Sequence, residues 1–344
     1  MLQTHFHSAS VVLPNGLVTD SSIQVSSGRI ATVGSATGFG PGESFDCTGL
    51  VLIPGFIDVH IHGAMGIDVN TADADGLFEI AKFLATKGVT SWVPTLVPDS
   101  DENHKRIILA IDRLMEIQAG RPVAQAVGVH YEGVFANEKM CGALRPEYFK
   151  KFPTNQLSEL PKLNRGIHMT TFAPEVEGGV GLVSELKRQG WIASIGHTKA
   201  DVKTLDEAFA AGARHVTHFF NAMTGLHHRG IGVAGWALAN RDVTFDIIAD
   251  GIHVHPKMLE LACRTKTPGR VSLISDSVAP AGLGDGKFEI WDETVTVENG
   301  RTQNERGNIA GSVITILDAV NRMLSLEFTM AEVSQMASLN PAKL

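Results

Sequence analysis

The sequence is poor in cysteine. Its 344 residues hold three, Cys47, Cys141 and Cys263, widely spaced and without a C-x-x-C pair. That excludes a disulfide framework and a thiolate zinc site, and it points to a reducing compartment. Uninterrupted apolar runs are missing too. A membrane span needs about 20 apolar residues, and the most apolar stretch, 49–66, is broken by Asp58, His60 and His62. The opening MLQTHFHSASVVLPNG has neither the charged region nor the apolar core of a signal peptide, so a cytoplasmic protein without membrane contact is expected. Positive charge is in deficit: 29 Lys and Arg stand against 37 Asp and Glu, for a net charge of -8. A nucleic-acid surface is thereby disfavoured, although a local basic pocket is still allowed. No G-x-G-x-x-G follows an early strand, which excludes a Rossmann dehydrogenase. Internal repeats and low-complexity tracts are absent as well.

What is present is apolar mass, glycine and histidine. Hydrophobic residues make up 44% and charged residues 19%, enough for a large core and unlike a disordered chain. The length suits two domains, or one large α/β barrel with an appendage. Residues 1–53 read as short strands and turns, with a Pro14-Asn15-Gly16 turn and a turn-rich segment over 34–43, a small β domain. From Pro54 onward, apolar strands alternate with amphipathic helices. The strand candidates are 56–61, 89–96, 124–129, 167–172, 191–195, 215–219, 244–248 and 271–274. Eight such units predict a (β/α)8 TIM-like barrel over 54–344, of class α/β, with a small β-sandwich-type domain built from the N-terminal segment. A return to β rhythm near 282–311 predicts a β-hairpin excursion after the eighth strand, with strands at 288–291 and 294–297.

The chemistry gathers at strand ends. His60 and His62 close the first strand, and a period of two puts both imidazoles on one face, about 6.6 Å apart along it. His197 follows the fifth strand and His218 ends the sixth. His215 and His218 cannot both face inward, and His218, nearer the C-terminal end, is the better candidate. Glu132 follows the third strand and Asp276 the eighth. Taken singly, His197 reads as a hydrogen-bonded core histidine and Glu132 and Asp276 as solvated acids, whereas the His60–His62 pair already favours a metal. Taken together they converge on one barrel mouth, where active sites are built. Four His, one Glu and one Asp there suit a divalent metal, with zinc the first expectation.

These segments resemble the amidohydrolase superfamily and, within it, the N-acetylglucosamine-6-phosphate deacetylase family. The resemblance covers essentially the whole chain. It is carried by Pro54–Gly63 with its His-x-His, by His130-Tyr131-Glu132-Gly133, by Gly196-His197-Thr198 and by His218-Phe219-Phe220-Asn221-Ala222-Met223. Further along, His227-His228-Arg229, Asp250-Gly251-Ile252-His253, Ser275-Asp276-Ser277 and Gly307–Ser312 also match. The resemblance implies that Glu132, His197 and His218 are the principal metal ligands. His60 and His62 match a second-metal pair, so one or two ions are expected. Asp276 matches the catalytic acid/base. Asn221, the Ala222 backbone, Arg229 and His253 match the grip on the 6-phosphate of an amino sugar. Arg229 is expected to act across the interface of a homodimer. The implied reaction is metal-dependent release of acetate from N-acetyl-D-glucosamine 6-phosphate. The alternatives are a galacto or unphosphorylated N-acyl substrate, or a weakly active metal-binding barrel.

Two departures from the family pattern stand out. Where the family has a Lys-Gly-Ala-His stretch whose His contacts the substrate near its reacting carbonyl, this chain reads Cys141-Gly142-Ala143-Leu144-Arg145, and Val134 replaces a Pro. Leu144 can neither donate a hydrogen bond nor carry charge, so a different substrate, compensation by Arg145 or Lys139, or weak activity is expected. The second departure is at the end. After Asn340-Pro341-Ala342 the family continues into a β segment that rejoins the N-terminal sheet, so truncation after Leu344 is expected.

Overall fold

The structure, a computed structural model, describes residues 3–34, 42–152 and 160–344. Most of the expected turn-rich segment, residues 35–41, lies outside them. Gln3–Leu13 and Gly16–Ser26 form an antiparallel hairpin closed at Leu13↔Gly16. Arg29–Gly34 extends it on one side. Glu43–Asp46 and Val51–Leu52 pair in parallel with the first strand on the other. Ala9, Val11 and Cys47 form the small core of this sheet.

Eight parallel strands then make the barrel: β1 (Phe56–Ile61), β2 (Val89–Leu96), β3 (Gly128–Phe135), β4 (Ile167–Phe172), β5 (Ile192–Ile195), β6 (His215–Val216), β7 (Thr244–Ile248) and β8 (Val271–Ile274). The ladder runs in this order from β1 to β8. Amphipathic helices cover it outside. In Ala74–Thr86, for example, Leu77, Ile80, Ala81 and Leu84 are buried at helical spacing, and the Asp73 carboxylate caps the first turn at Gly76 N, 2.8 Å away. Val59, Val93, Ile248 and Ile274 pack together as a separate buried cluster.

Closure from β8 back to β1 runs through the strand ends. The Asp276 N–H donates to His60 O at 2.9 Å and the His62 N–H to Ser277 O at 2.8 Å. Beneath them, fully buried Asp58 accepts from Ser275 Oγ at 2.5 Å and from Ser275 N at 3.3 Å. Burial pushes the Asp58 carboxyl up to about 6. This seam fixes His60 and Asp276 relative to each other.

The third strand begins and ends later than the sequence predicts. It carries Glu132 within the strand, because Gly133 at φ +71 lets the chain bulge and continue. After β8, the segment that reads as a hairpin forms three antiparallel strands, Gly286–Ile290, Glu293–Glu298 and Arg301–Gln303.

Candidate metal centre and active site

Six side chains, on or just past β1, β3, β5, β6 and β8, meet above the barrel. The Nε2 atoms of His197 and His218 lie 3.0 Å apart, and each is 3.1 or 3.0 Å from Glu132 Oε1. On the other side, His60 Nε2 and His62 Nε2 are 3.1 Å apart. His62 Nε2 is 3.2 Å from Glu132 Oε2, and His60 Nε2 is 3.4 Å from Glu132 Oε1. Glu132 is thus shared by two groups, each able to surround a cation: His60, His62 and Glu132, and Glu132, His197 and His218. Asp276 Oδ1 touches the first group, 3.3 Å from His60 and 3.2 Å from His62.

The donor set fits a divalent metal. Ligands held at about 2.0–2.1 Å in a tetrahedron are separated by about 3.3 Å, close to the spacings here. The His197 tautomer agrees. His197 Nδ1–H donates to Met140 O at 2.7 Å, leaving the Nε2 lone pair facing the centre. Burial opposes charge on His62, but Asp276 and Glu132 outweigh it and push its pKa up to about 10. His218 is raised to about 9 despite burial, chiefly by Glu132. Burial likewise opposes the Glu132 carboxylate, yet His60, His197 and His218 hold it well below the ordinary range. Asp276 is lowered against burial by His60 and His62.

The backbone is strained where it presents these groups. His197, His218 and Asp276 have φ of 47°, 33° and 50°, and Ala222 has 49°. Left-handed conformations cost a non-glycine residue about 1–3 kcal/mol and persist only where the surroundings impose them. Here each turns a side chain from the end of β5, β6 or β8 over the mouth. Beneath the centre runs a buried hydroxyl chain: His130 Nε2 to Thr171 Oγ1 at 2.7 Å, Thr171 to Thr217 at 2.7 Å, and Thr217 to Ser194 Oγ at 2.5 Å. The His130 ring stands edge-on to His60 with centroids 4.7 Å apart, so this layer supports the His60 imidazole.

A cavity of ≈ 260 Å³ opens on this centre, and Asn221, Ala222 and His253 line it together with His62, Glu132, His197, His218 and Asp276. Asp250 fixes the His253 ring by accepting from its Nδ1 at 2.6 Å. Arg229 is not part of this wall. It lies with His227 and His228 on an exposed stretch of the same chain, beside Leu226, which is 57% exposed. His215, the less favoured of its pair, faces away and bonds Asp246 at 3.0 Å and Thr244 Oγ1 at 2.8 Å. Leu144 does line the cavity. Of the two cations that could stand in for a missing donor there, Lys139 is exposed, and Arg145 is tied to Asp99 and Asp292 at 2.9 and 2.8 Å. Neither lines the cavity.

Sequence reasoning missed Asp58, His130, Thr171, Thr217 and Asp246, whose partners are strands away. It also missed Trp291, placed at a strand end although its φ of 55° puts it in a turn. The His-Tyr-Glu run around His130 was a usable signal, since a period of two from Glu132 turns His130 to the same face.

The pattern of the amidohydrolase family matches residues 51–344. Among individual proteins, the N-acetylgalactosamine-6-phosphate deacetylase of Escherichia coli O157:H7 is 33% identical over 332 residues, covering 96% of this chain and 86% of that protein. The N-acetylglucosamine-6-phosphate deacetylase of Bacillus subtilis is also 33% identical, over 97% of this chain and 86% of its own length. The crystal structure of the Thermotoga maritima N-acetylglucosamine-6-phosphate deacetylase superposes with a TM-score of 0.86 at 30% identity, covering 98% of this chain and 89% of that one.

Proposed function

The chain belongs to the amidohydrolase family, and from that premise we propose that it hydrolyses the N-acetyl group of N-acetyl-D-glucosamine 6-phosphate to glucosamine 6-phosphate and acetate. The observation that carries this reading is the shared Glu132, with Asp276 beside one of its two ligand groups, in a cavity whose wall includes Asn221, Ala222 and His253. Glu132, His197 and His218 would hold one ion, and His60 and His62 with Glu132 a second. His and carboxylate ligands suit Zn2+. A cation so held would supply Lewis-acid polarisation of the amide carbonyl and a water with a pKa near 7.

The protein's own groups do the rest. Asp276 is kept ionised by its histidine neighbours, so Oδ1 can accept the proton of the attacking water. It then returns that proton to the departing sugar nitrogen, acting as base and then acid. Asn221, the Ala222 backbone and His253 take the 6-phosphate. Binding energy at that remote end orients the amide over the reacting groups. In a chain of net charge -8, the anion needs a further cation. Arg229 on its exposed stretch supplies it to the cavity of a second copy in a homodimer. The three cysteines are unpaired, and among the described residues no helix is long and apolar enough to cross a membrane; both accord with a cytoplasmic setting.

The 33% identity to the E. coli galactosamine enzyme supports the galacto epimer as the second reading. Acetate release from both 6-phosphates and from unphosphorylated N-acetylglucosamine, with zinc present, tests all three. The expected result is a kcat/KM at least about 100-fold higher for the gluco 6-phosphate than for the unphosphorylated sugar. Equal turnover of the two would remove the phosphate assignment, and preference for the galacto 6-phosphate would exchange the epimers.

A further inference from the structure

Leu144 and Trp291 enter the cavity from two different loops, and both are apolar. Leu144 is buried behind β3 and packs on the bare face of Gly133: a Cβ at that glycine would meet Leu144 Cδ1 at 2.4 Å. Leu144 is therefore locked directly beside Glu132. Trp291 stands edge-on to His62 with ring centroids 5.3 Å apart. It occupies the tip between Gly286–Ile290 and Glu293–Glu298, where Trp291 and Asp292 have φ of 55° and 65°. Two-residue hairpin turns with both residues left-handed favour Asn-Gly or Asp-Gly. A tryptophan there is costly unless its side chain is needed.

The two loops are also fastened to each other. Arg145 donates to Asp292 Oδ2 at 2.8 Å, and the segment after Arg301–Gln303 braces the Leu144 loop through Arg306 to Ala143 O and Asn308 Nδ2 to Gly142 O, each at 2.8 Å. The wall is a built unit.

Its place in the ring of strands says what it faces. Trp291 lies against His62, just past the end of β1, and Leu144 follows β3. Asn221 and His253 follow β6 and β7, across the mouth. A substrate anchored by its anion at the β6–β7 side, with its amide over the metal-ligating groups, directs its acyl substituent at Leu144 and Trp291. We propose that Leu144 and Trp291 form an apolar acyl wall in which Trp291 sets the length of acyl group accepted. The preferred class is short unsubstituted acyl groups, acetyl before hexanoyl and before polar acyl groups of acetyl size. This rests on the reading of the cavity as an amide-hydrolysing site.

The test has a binding arm and a kinetic arm, on zinc-loaded full-length protein. Acetohydroxamate and hexanohydroxamate anchor on the metal and project their chains into the acyl space. Calorimetry on wild type, Trp291→Ala and Trp291→Phe reads their relative affinities. Trp291→Ala should raise the hexano-to-aceto affinity ratio at least about tenfold, Trp291→Phe should lie between, and zinc content should be unchanged. The kcat/KM ratio for N-hexanoyl over N-acetyl glucosamine 6-phosphate should move the same way. A hydroxamate ratio within twofold of wild type in Trp291→Ala overturns the acyl wall. If wild type hydrolyses neither sugar but Trp291→Ala still shifts the hydroxamate ratio, the substrate assignment falls and the wall stands.

Discussion

His215 and His218 lie three residues apart, and both lean on Asp246. His215 Nε2 meets Asp246 Oδ2 at 3.0 Å, and the His218 N–H donates to Asp246 Oδ1. At the lower end, the His215 ring has a partner on each nitrogen, Asp246 and Thr244, and nothing further to bind. At the upper end, His218 sits at φ 33° with its Nε2 aimed at Glu132 and His197. The same contrast runs round the barrel. His168 stacks on Trp191 and accepts from the Leu163 N–H at 3.0 Å, while His60 and His62 converge on two carboxylates. A histidine's role is therefore decided by what its second nitrogen finds. Satisfied rings at the lower end add stability, and convergent rings at the upper end hold charge at a cost in backbone strain.

The contrast can be broken most severely at Glu132, the one carboxylate common to both ligand groups. Glu132→Gln should lose ions from both groups and lower kcat/KM by at least about 10³-fold, read by metal analysis alongside acetate release. Full metal content in that variant would contradict the shared-ligand geometry. A change of pH separates the two ends next. His62 and His218 have pKa values raised to about 10 and about 9 in the metal-free cluster. At neutral pH both hold protons that a cation must displace, so metal affinity should rise with pH, by up to about 100-fold per unit below pH 9. A pH-independent affinity between pH 6 and 8 would show that neither ring is displaced. The smallest effect belongs to the lower end. His215→Gln should cost about 1–3 kcal/mol of stability by denaturant unfolding, with metal content and kcat within twofold of wild type. A loss of metal there would erase the distinction between the two ends.

Much of this arrangement is legible in the sequence, and the reasons are physical. His60 and His62 are local: alternation along one strand places both rings without knowledge of any neighbour. The barrel follows from eight apolar strands alternating with stretches of helical periodicity. Glu132 is recognisable by type and by its approximate position. Its seat inside β3 depends on the positive φ of Gly133 and on Leu144 filling the space beside it. The seam through Asp58 and Ser275 joins residues 217 apart, and the hydroxyl chain of Thr171, Thr217 and Ser194 uses residue types that occur everywhere. Neither leaves a local pattern. Trp291 was hidden for a different reason, because its segment reads as a continuing strand until the turn at Asp292 reverses it.

In the reaction we propose, Asp276, presented at φ 50° beside His60 and His62, moves the proton of a metal-dependent deacetylation. Single-turnover acetate release from N-acetyl-D-glucosamine 6-phosphate by zinc-loaded wild type and Asp276→Asn, with metal content measured on the same samples, tests it most directly. Rapid release by wild type and a rate at least about 10³-fold lower in Asp276→Asn at equal metal content is the predicted result. Equal rates in the two proteins would contradict it.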